Sequence, residues 1–247
     1  WYAKALETSS DPEMVYNYSQ MLKANGDYEE SNVQLAKFSS MRPADNRAIA
    51  FRENPNYLPK ILEKGKKFNI QGLAINSEVS DFGGNLQNGK LYITSARSGK
   101  RKTYGWNEEP FLDIYTAIAN QDGSFQMPSI IEDNINTKYH EGTVSFSPDG
   151  NTMYFSRESF YEKVYERDPS TKYKISVLHL YKSINQQGQW SEAEPLSVNG
   201  DNYSVKNPSV SADGSTLYFA SDKADGYGNF DIYSAAIDEN GVVGEAT

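Results

Sequence analysis

The chain has 247 residues, of which 38% are hydrophobic and 23% are charged, and its formal net charge is -9. This length suggests one large domain or two smaller ones, and the acidic balance disfavours nucleic acid or an anionic membrane surface as a partner. The absence of cysteine excludes disulfides and thiolate metal sites, and no stretch is long and apolar enough to span a bilayer.

The first part of the chain shows helical spacing and helix-start signals. Ser10-Asp11-Pro12 predicts a helix start, because a capping side chain precedes a proline at the first helical position. Asn25-Gly26 predicts the end of that helix, since glycine tolerates the left-handed cap conformation. Asp27 predicts the cap of the next helix, with Glu30 three residues later as in a capping box. A third helix is predicted from Asn46.

Two helices joined by a short glycine turn cannot bury their apolar faces alone, which favours a helical repeat. Tyr2-Ala3-Lys4-Ala5 returns 33 residues later as Leu35-Ala36-Lys37-Phe38. Together with Gly26-Asp27-Tyr28-Glu29-Glu30, this pattern resembles a tetratricopeptide repeat, although Phe38 stands where a small residue is usual. Beyond the repeat, Asn54-Pro55 and Pro59 predict interruptions of helical structure.

The resemblance to a tetratricopeptide repeat implies a peptide-binding groove on the helices. It places Tyr16, Gln20 and Lys23 on the concave face, as candidate partner-binding residues. The alternative is that these three side chains are ordinary solvent-facing residues of a surface helix.

From about residue 68, short alternating runs separated by Asn-Gly and Asp-Gly turns replace the helical spacing. A turn followed by an aromatic strand occurs three times, at residues 88–95, 149–156 and 213–221. We expect two-residue hairpin turns there, because Asn-Gly and Asp-Gly adopt positive φ readily. A further strand follows each copy, at Asp113-Ile114-Tyr115, His179-Leu180-Tyr181 and Asp231-Ile232-Tyr233. A third recurrence, at residues 123–125, 188–191 and 241–243, gives each unit about four short strands. Repetition of four-stranded units is typical of a β-propeller.

The sequence therefore predicts an α + all-β multidomain protein. Tetratricopeptide-type helical hairpins are expected over residues 1–65, and an incomplete WD-like β-propeller of about three blades of four strands over residues 66–247. Since propellers have four or more blades, we expect the chain to be truncated before the remaining blades, and at its N-terminus as well.

Three phrases, at residues 76–83, 135–142 and 201–233, carry a family resemblance. With the helices, they resemble the OmpA-family proteins of Bacteroidetes that combine tetratricopeptide repeats with a WD-like propeller, such as the PorE-like proteins of type IX secretion and gliding motility. The resemblance implies a non-catalytic periplasmic scaffold or adaptor at the outer membrane. It also implies an outer-membrane partner of the PorP/SprF type, and peptidoglycan binding by a C-terminal domain absent from this chain.

Two other functions stay open: a glycan- or peptide-binding propeller in nutrient uptake, and a regulatory propeller of a hydrolase. No catalytic, cofactor-binding or metal-binding residue is predicted, and no cofactor. His140-Glu141 lacks the second histidine of a metalloprotease motif, and His179 lies inside a strand, so both histidines are interpreted as structural.

Two loops have alternative interpretations. An acidic, glycine-rich loop is either a calcium site or a turn held by side-chain hydrogen bonds, and its oxygen-bearing residues are Asp222, Asp225, Asn229 and Asp231. The insertion at residues 161–173 is rich in tyrosine and charge, which fits either a binding loop or a solvated one.

Overall fold

A computed structural model describes residues 1–55, 57–65, 67–131 and 134–247. The chain divides into two compact units, a helical unit (Trp1–Gln71) and a β unit (Gly72–Thr247). The predicted boundary between residues 65 and 66 falls at Lys66, which lies outside the described residues. None of the described helices combines the length and the apolar character needed to cross a membrane.

Most helices of the helical unit start close to the positions that the sequence signals predict. Its described helices are α1 (Tyr2–Ala5), α2 (Pro12–Ala24), α3 (Tyr28–Met41), α4 (Asn46–Glu53) and α5 (Tyr57–Glu63). The Asp11 carboxylate caps α2 by accepting the Glu13 N–H at 3.0 Å. After α2, Gly26 has a φ of +86°, so the predicted helix end at Asn25-Gly26 is confirmed.

Two local predictions in the helical unit are wrong. The Asp27 side chain makes no cap hydrogen bond on α3, and the Glu30 carboxylate accepts from the Gln34 side chain at 2.8 Å instead of completing a capping box. Helical structure is interrupted after Glu53, as Asn54-Pro55 predicts, but Pro59 does not break it, because Pro59 is the third residue of α5. The first four N–H groups of a helix have no partner within the helix, so a proline there removes no hydrogen bond.

The β unit is antiparallel, and its strands are short. They are β1 (Asp81–Gln87), β2 (Lys90–Ser95), β3 (Asp113–Ile118), β4 (Ser129–Ile130), β5 (Glu141–Phe146), β6 (Thr152–Glu158), β7 (Glu166–Arg167), β8 (Lys174–Ile175), β9 (Leu178–Gln186), β10 (Gln189–Trp190), β11 (Glu194–Pro195), β12 (Val205–Val210), β13 (Thr216–Ser221), β14 (Asp231–Ile237) and β15 (Val243–Ala246). The predicted aromatic strands are confirmed as β2, β6 and β13, and the strands that follow them as β3, β9 and β14.

These strands form three larger sheets and one small hairpin. The first sheet has the order β1-β2-β3-β4 and the third sheet has the order β12-β13-β14-β15. The second sheet has the order β5-β6-β9-β10, with β11 also pairing with β9, while β7 and β8 pair only with each other. The three larger sheets therefore share one arrangement, in which antiparallel strands pair in the order in which they follow along the chain.

The hairpin turns differ from one another. Asn88 and Gly89 form the predicted two-residue turn, with φ values of +49° and +73°. The two Asp-Gly copies lie in longer loops, at residues 147–151 and 211–215, so the prediction of two-residue turns is wrong there. The Asp149 carboxylate holds its loop by accepting from the Ser147 hydroxyl and the Asn151 N–H, and Asp213 does the same in the third sheet.

Neighbouring sheets pack through apolar clusters. Tyr92 and Ile114 of the first sheet are buried with residues of the second sheet that include Phe146, Met153 and Phe155. A second cluster joins Tyr154 and Leu180 of the second sheet to residues of the third sheet, among them Val205, Leu217 and Phe219. Burial of these aromatic and aliphatic side chains is the main force that holds the sheets together.

The predicted fold class is wrong. The described residues form mostly antiparallel sheets with a few short helices, and neither a tetratricopeptide-type helical domain nor a propeller is present among them. Helices α2 and α3 have 13 and 14 residues, whereas α1, α4 and α5 have 4, 8 and 7. The described helices therefore do not form a second hairpin of the same size. Each described strand pairs only with strands of its own sheet, and the described sheets do not close into a ring.

Gly214 lies where the third sheet's loop meets the second sheet's loop. Its φ is +76°, and a Cβ at this position would lie 2.9 Å from Cδ of Pro148, whose ring is rigid. We expect Gly214→Ala to lower the free energy of unfolding by more than the ~1–2 kcal/mol that left-handed backbone costs an alanine. Gly241→Ala is the matched control, with a φ of +73° and no atom within 4 Å of the added Cβ. Equal losses in the two variants, measured by urea unfolding, would show that the loop contact contributes nothing.

Candidate functional site

The three partner-binding candidates lie together on one groove of the helical unit. Tyr16, Gln20 and Lys23 are spaced four and three residues apart on α2, so their side chains share one face of the helix. They border a cavity of about 370 Å³. Its other lining residues are Leu35, Arg47, Ala50, Phe51, Asn54 and Tyr57.

The wall of this groove rests on the core of the helical unit. The Tyr16 ring packs on Phe38, with ring centres 5.2 Å apart. Phe38 is fully buried with Val15 and Ala48. Gln20 is also held, because its side-chain amide donates to the Ser19 hydroxyl at 3.1 Å. The groove wall therefore has a defined shape before any ligand binds.

Arg47 supplies a positive charge that this unit already neutralises. Its guanidinium donates two hydrogen bonds to Glu13, at 2.6 and 2.9 Å, and further ones to Asp45. Hydrogen bonds from the Arg47 side chain and backbone lower the pKa of Asp45 to about 2. The guanidinium carbon also lies 4.3 Å from the centre of the Tyr16 ring. Arg47 thus orders the groove wall and offers little charge to a ligand.

Lys23 is the cation of the groove that remains available. Its ammonium lies 4.9 Å from the centre of the Tyr57 ring. Within the described part of the chain, this ammonium makes no ion pair with a carboxylate. An ammonium beside an aromatic ring can bind a carboxylate or a carbonyl oxygen of a ligand without first losing a partner.

A second cavity of about 770 Å³ continues the groove beyond Lys23 and Tyr57, which border both cavities. The residues that line only this part include Leu22, Asp27, Tyr28, Glu29, Glu30, Leu58 and Pro59. The groove therefore has an aromatic and basic part that passes into an acidic part. A surface of this kind is suited to a ligand of several residues.

Sequence reasoning did not identify Arg47, Phe51 and Tyr57 as groove residues. Arg47 and Phe51 lie on the predicted third helix, and their spacing of four residues was the available signal. Tyr57 lies on α5, where Pro59 was interpreted as a helix break. No signal in the sequence indicates that α5 lies beside α2.

The two histidines make structural contacts. His140 Nδ1 accepts the Leu112 N–H at 3.0 Å, its ring packs against Tyr104 and Phe111, and burial lowers its pKa to about 4. His179 Nδ1 lies 2.5 Å from a Glu162 carboxylate oxygen, and Nε2 lies 3.1 Å from the Gly200 carbonyl oxygen. Both ring nitrogens of His179 therefore lie within hydrogen-bond distance of oxygen atoms of the β unit.

The acidic loop of the third sheet uses its carboxylates to hold its own turns. Asp222 accepts the Ser204 N–H, Asp225 pairs with the Lys223 ammonium at 2.9 Å, and Asp231 accepts the backbone N–H groups of residues 227 and 228. In the described ranges no group of three or more histidines, aspartates or glutamates is arranged to hold a metal ion. The loop thus matches the turn alternative.

A buried ion pair lies at one end of the second sheet. Arg157 and Glu141 are each 1% exposed, and the Arg157 Nε donates to Glu141 Oε1 at 3.1 Å. The guanidinium also donates to the Ile135 carbonyl at 2.6 Å, and its carbon lies 4.5 and 4.6 Å from the centres of the Tyr161 and Tyr181 rings. Burial raises the pKa of Glu141, against the opposing effects of Thr137 and Arg157. The start of the 161–173 insertion thus covers a structural pair.

Glu158 is the next residue along β6 and is 8% exposed. Its Oε2 atom is buried and has no hydrogen-bond partner in the part of the chain that the structure describes. Burial raises the pKa of Glu158 to about 7. In the folded protein this carboxyl therefore keeps its proton up to a higher pH than an exposed glutamate does.

Comparison with known proteins identifies no family for this chain. No protein-family model matches it, and no curated protein matches it.

Proposed function

We propose that this protein is a non-catalytic adaptor that binds a segment of a protein partner along the groove of its helical unit. The observation that carries the proposal is the convergence of Tyr16, Gln20 and Lys23 with Phe51 and Tyr57 on that groove. Aromatic side chains are among the residue types that dominate the energy of protein interfaces, and the Lys23 ammonium adds a charge that can pair with a carboxylate of the ligand.

The form of the groove favours a polypeptide over a compact small molecule. Its two adjoining cavities have volumes of about 370 and 770 Å³, and they meet at Lys23 and Tyr57. Basic and aromatic groups line one part and acidic groups the other. An extended peptide can place an acidic group at Lys23 and a basic or polar group near Glu29 and Glu30.

The partner and the location in this proposal rest on the sequence resemblance alone. They are an outer-membrane protein of the PorP/SprF type and the periplasmic side of the outer membrane. Peptidoglycan binding is assigned in the same proposal to a C-terminal domain outside this chain.

The test is co-purification of the full-length protein from its native envelope in mild detergent, followed by affinity measurement with the partner recovered. We expect Lys23→Glu to weaken binding at least about tenfold, because it places a repelling charge where the ligand carboxylate binds. Lys37→Glu is the matched control, since Lys37 is exposed on α3 and does not line the groove. Equal affinities for wild type and both variants would contradict binding in the groove.

A further inference from the structure

The insertion between β6 and β9 contains a hairpin that contributes little to the core. Strands β7 (Glu166–Arg167) and β8 (Lys174–Ile175) pair only with each other, and all four of their residues are exposed. A two-stranded hairpin without a sheet beside it gains little stability from its own packing. The residues of this hairpin are therefore not explained by a role in holding the β unit together.

Two cations lie directly opposite each other in this hairpin. The registered pairs are Arg167 with Lys174 and Glu166 with Ile175. Residues directly opposite each other share one face of a ladder, and like charges at such a pair destabilise it. Glu166 points to the other face, since side chains alternate along a strand. The free hairpin therefore carries a local repulsion that a bound anion would relieve.

No carboxylate neutralises these two cations. Within the described residues, neither Arg167 nor Lys174 forms an ion pair with an aspartate or glutamate. The carboxylate of Asp168 is held in the tip of the hairpin, where it accepts the Ser170 hydroxyl at 2.6 Å and the Thr171 N–H at 2.7 Å. These hydrogen bonds lower the pKa of Asp168 to about 2. Arg167 and Lys174 thus remain available to a ligand.

Tyr165 lies on the same face as the two cations. It precedes Arg167 by two residues, and the Lys174 ammonium lies 4.1 Å from the centre of its ring. Hydrogen bonding to Lys174 and the charges of Lys174 and Arg167 lower the pKa of Tyr165, which shows that the potential of this face is positive. Tyr165, Arg167 and Lys174 together are called the cationic face below.

The base of the hairpin is fixed to the second sheet. The Ser159 N–H donates to the Val177 carbonyl at 2.9 Å, and the Ser159 hydroxyl accepts the Val177 N–H at 3.0 Å. The Tyr165 ring packs on Phe160, and Phe160 packs on Tyr139, with ring centres 5.9 and 5.6 Å apart. The cationic face is therefore ordered before a ligand binds, which lowers the entropy cost of binding.

We propose that the cationic face binds a short acidic segment of a protein, with Arg167 and Lys174 sharing one aspartate or glutamate carboxylate of that segment. A guanidinium matches the two oxygens of a carboxylate, and the Tyr165 ring can pack against the aliphatic part of the same side chain. This site does not involve the helical groove and is independent of the proposed adaptor function.

The charge of the whole chain favours a short segment over a large polyanion. With a net charge of -9, the protein repels a nucleic acid or an anionic membrane surface. A short segment interacts mainly with the charges near it, because salt screens exposed charges beyond about 8–10 Å. Two unpaired cations on one hairpin face can therefore bind such a segment although the rest of the chain is acidic.

Fluorescence anisotropy of a labelled octaglutamate peptide, titrated with the full chain, tests this proposal. We expect saturable binding that weakens as the NaCl concentration rises, and at least about tenfold weaker binding by Arg167→Glu. This variant places a carboxylate opposite Lys174, and an opposite-charge pair favours the hairpin, so its weaker binding would not come from a disrupted hairpin.

Lys90→Glu is the charge-matched control, since Lys90 is exposed at the start of β2, and we expect it to bind like wild type. Three results would contradict the proposal. They are no saturable binding by wild type, equal affinities of wild type and Arg167→Glu, and equal weakening in Arg167→Glu and Lys90→Glu. Binding of phosphatidylglycerol vesicles that Arg167→Glu abolishes, without binding of octaglutamate, would also overturn it and assign the face to a lipid surface.

Discussion

Replacing Arg157 with alanine is expected to lower the free energy of unfolding by about 3–5 kcal/mol, the loss typical of a buried ion pair with one partner removed. The Glu141 carboxylate, at 1% exposure, would lose the guanidinium that stabilises its charge. The Ile135 carbonyl would lose a hydrogen bond of 2.6 Å, and the rings of Tyr161 and Tyr181 would lose their contact with the guanidinium.

Urea unfolding followed by tryptophan fluorescence measures this loss. Trp190 is 6% exposed in the apolar cluster between the first and second sheets, whereas Trp1 and Trp106 are exposed, so the change in signal reports mainly on this cluster. Arg97→Ala is the control, because the Arg97–Asp81 pair is more exposed, at 14% for both side chains, and the Asp81 carboxylate that is left still accepts hydrogen bonds from Ser77 and Ser95.

A second variant separates the unpaired charge from the lost contacts. Glu141→Gln in the Arg157→Ala background is expected to recover part of the stability, since glutamine is neutral. If Arg157→Ala lowered the free energy of unfolding no more than Arg97→Ala does, the expected stabilisation by the buried ion pair would be contradicted.

Glu158→Gln is expected to stabilise the protein at pH 8 by up to about 3 kcal/mol and to have little effect near pH 4.5. Burial raises the pKa of Glu158 from 4.5 to about 7, so the folded state binds a proton that the unfolded state has released. The stability from this proton is fully present below pH 4.5 and is lost as pH rises through 7. Glutamine has no proton to lose and removes that dependence.

The measurement is the difference in unfolding free energy between variant and wild type at a series of pH values. The depressed pKa of His140 acts in the opposite sense, since its contribution falls as pH drops from 6.5 towards 4, but it is present in both proteins and cancels. Glu194→Gln is the control on the same sheet, where the side chain is 69% exposed. A Glu158→Gln difference that is equal at pH 5 and pH 8 would contradict a raised pKa.

Local features of the chain were predictable because short-range chemistry determines them. The Asp11 cap, the Gly26 helix end and the Asn88-Gly89 turn each depend on residues within a few positions of one another. The three aromatic strands were also predictable, since their alternation repeats with spacings of 62 and 64 residues.

The fold class was not predictable in the same way. A repeated four-strand pattern specifies how each sheet is built, but not how many sheets pack together or whether they close. The helix lengths were a further obstacle, because only α2 and α3 exceed eight residues among the described helices. The resemblance to a tetratricopeptide repeat depended on one helical hairpin, and the described helices do not continue that hairpin as a repeat.

The candidate site was likewise predictable only in its local features. The shared face of Tyr16, Gln20 and Lys23 follows from spacing within one helix, whereas the opposite side of the groove comes from α4 and α5. The approach of Tyr57 to the Lys23 ammonium is a tertiary contact across more than 30 residues of sequence. The binding role of these residues stays a prediction.

A photocrosslink from the groove tests the adaptor function most directly. We would place a photoreactive phenylalanine at Gln20 of the full-length protein in its native envelope, and at Lys37 as the control position outside the groove. The account predicts a crosslink to one outer-membrane partner from position 20, its loss with Lys23→Glu, and none from position 37. Equal crosslinking from both positions, or none from position 20 while the partner still co-purifies, would contradict it.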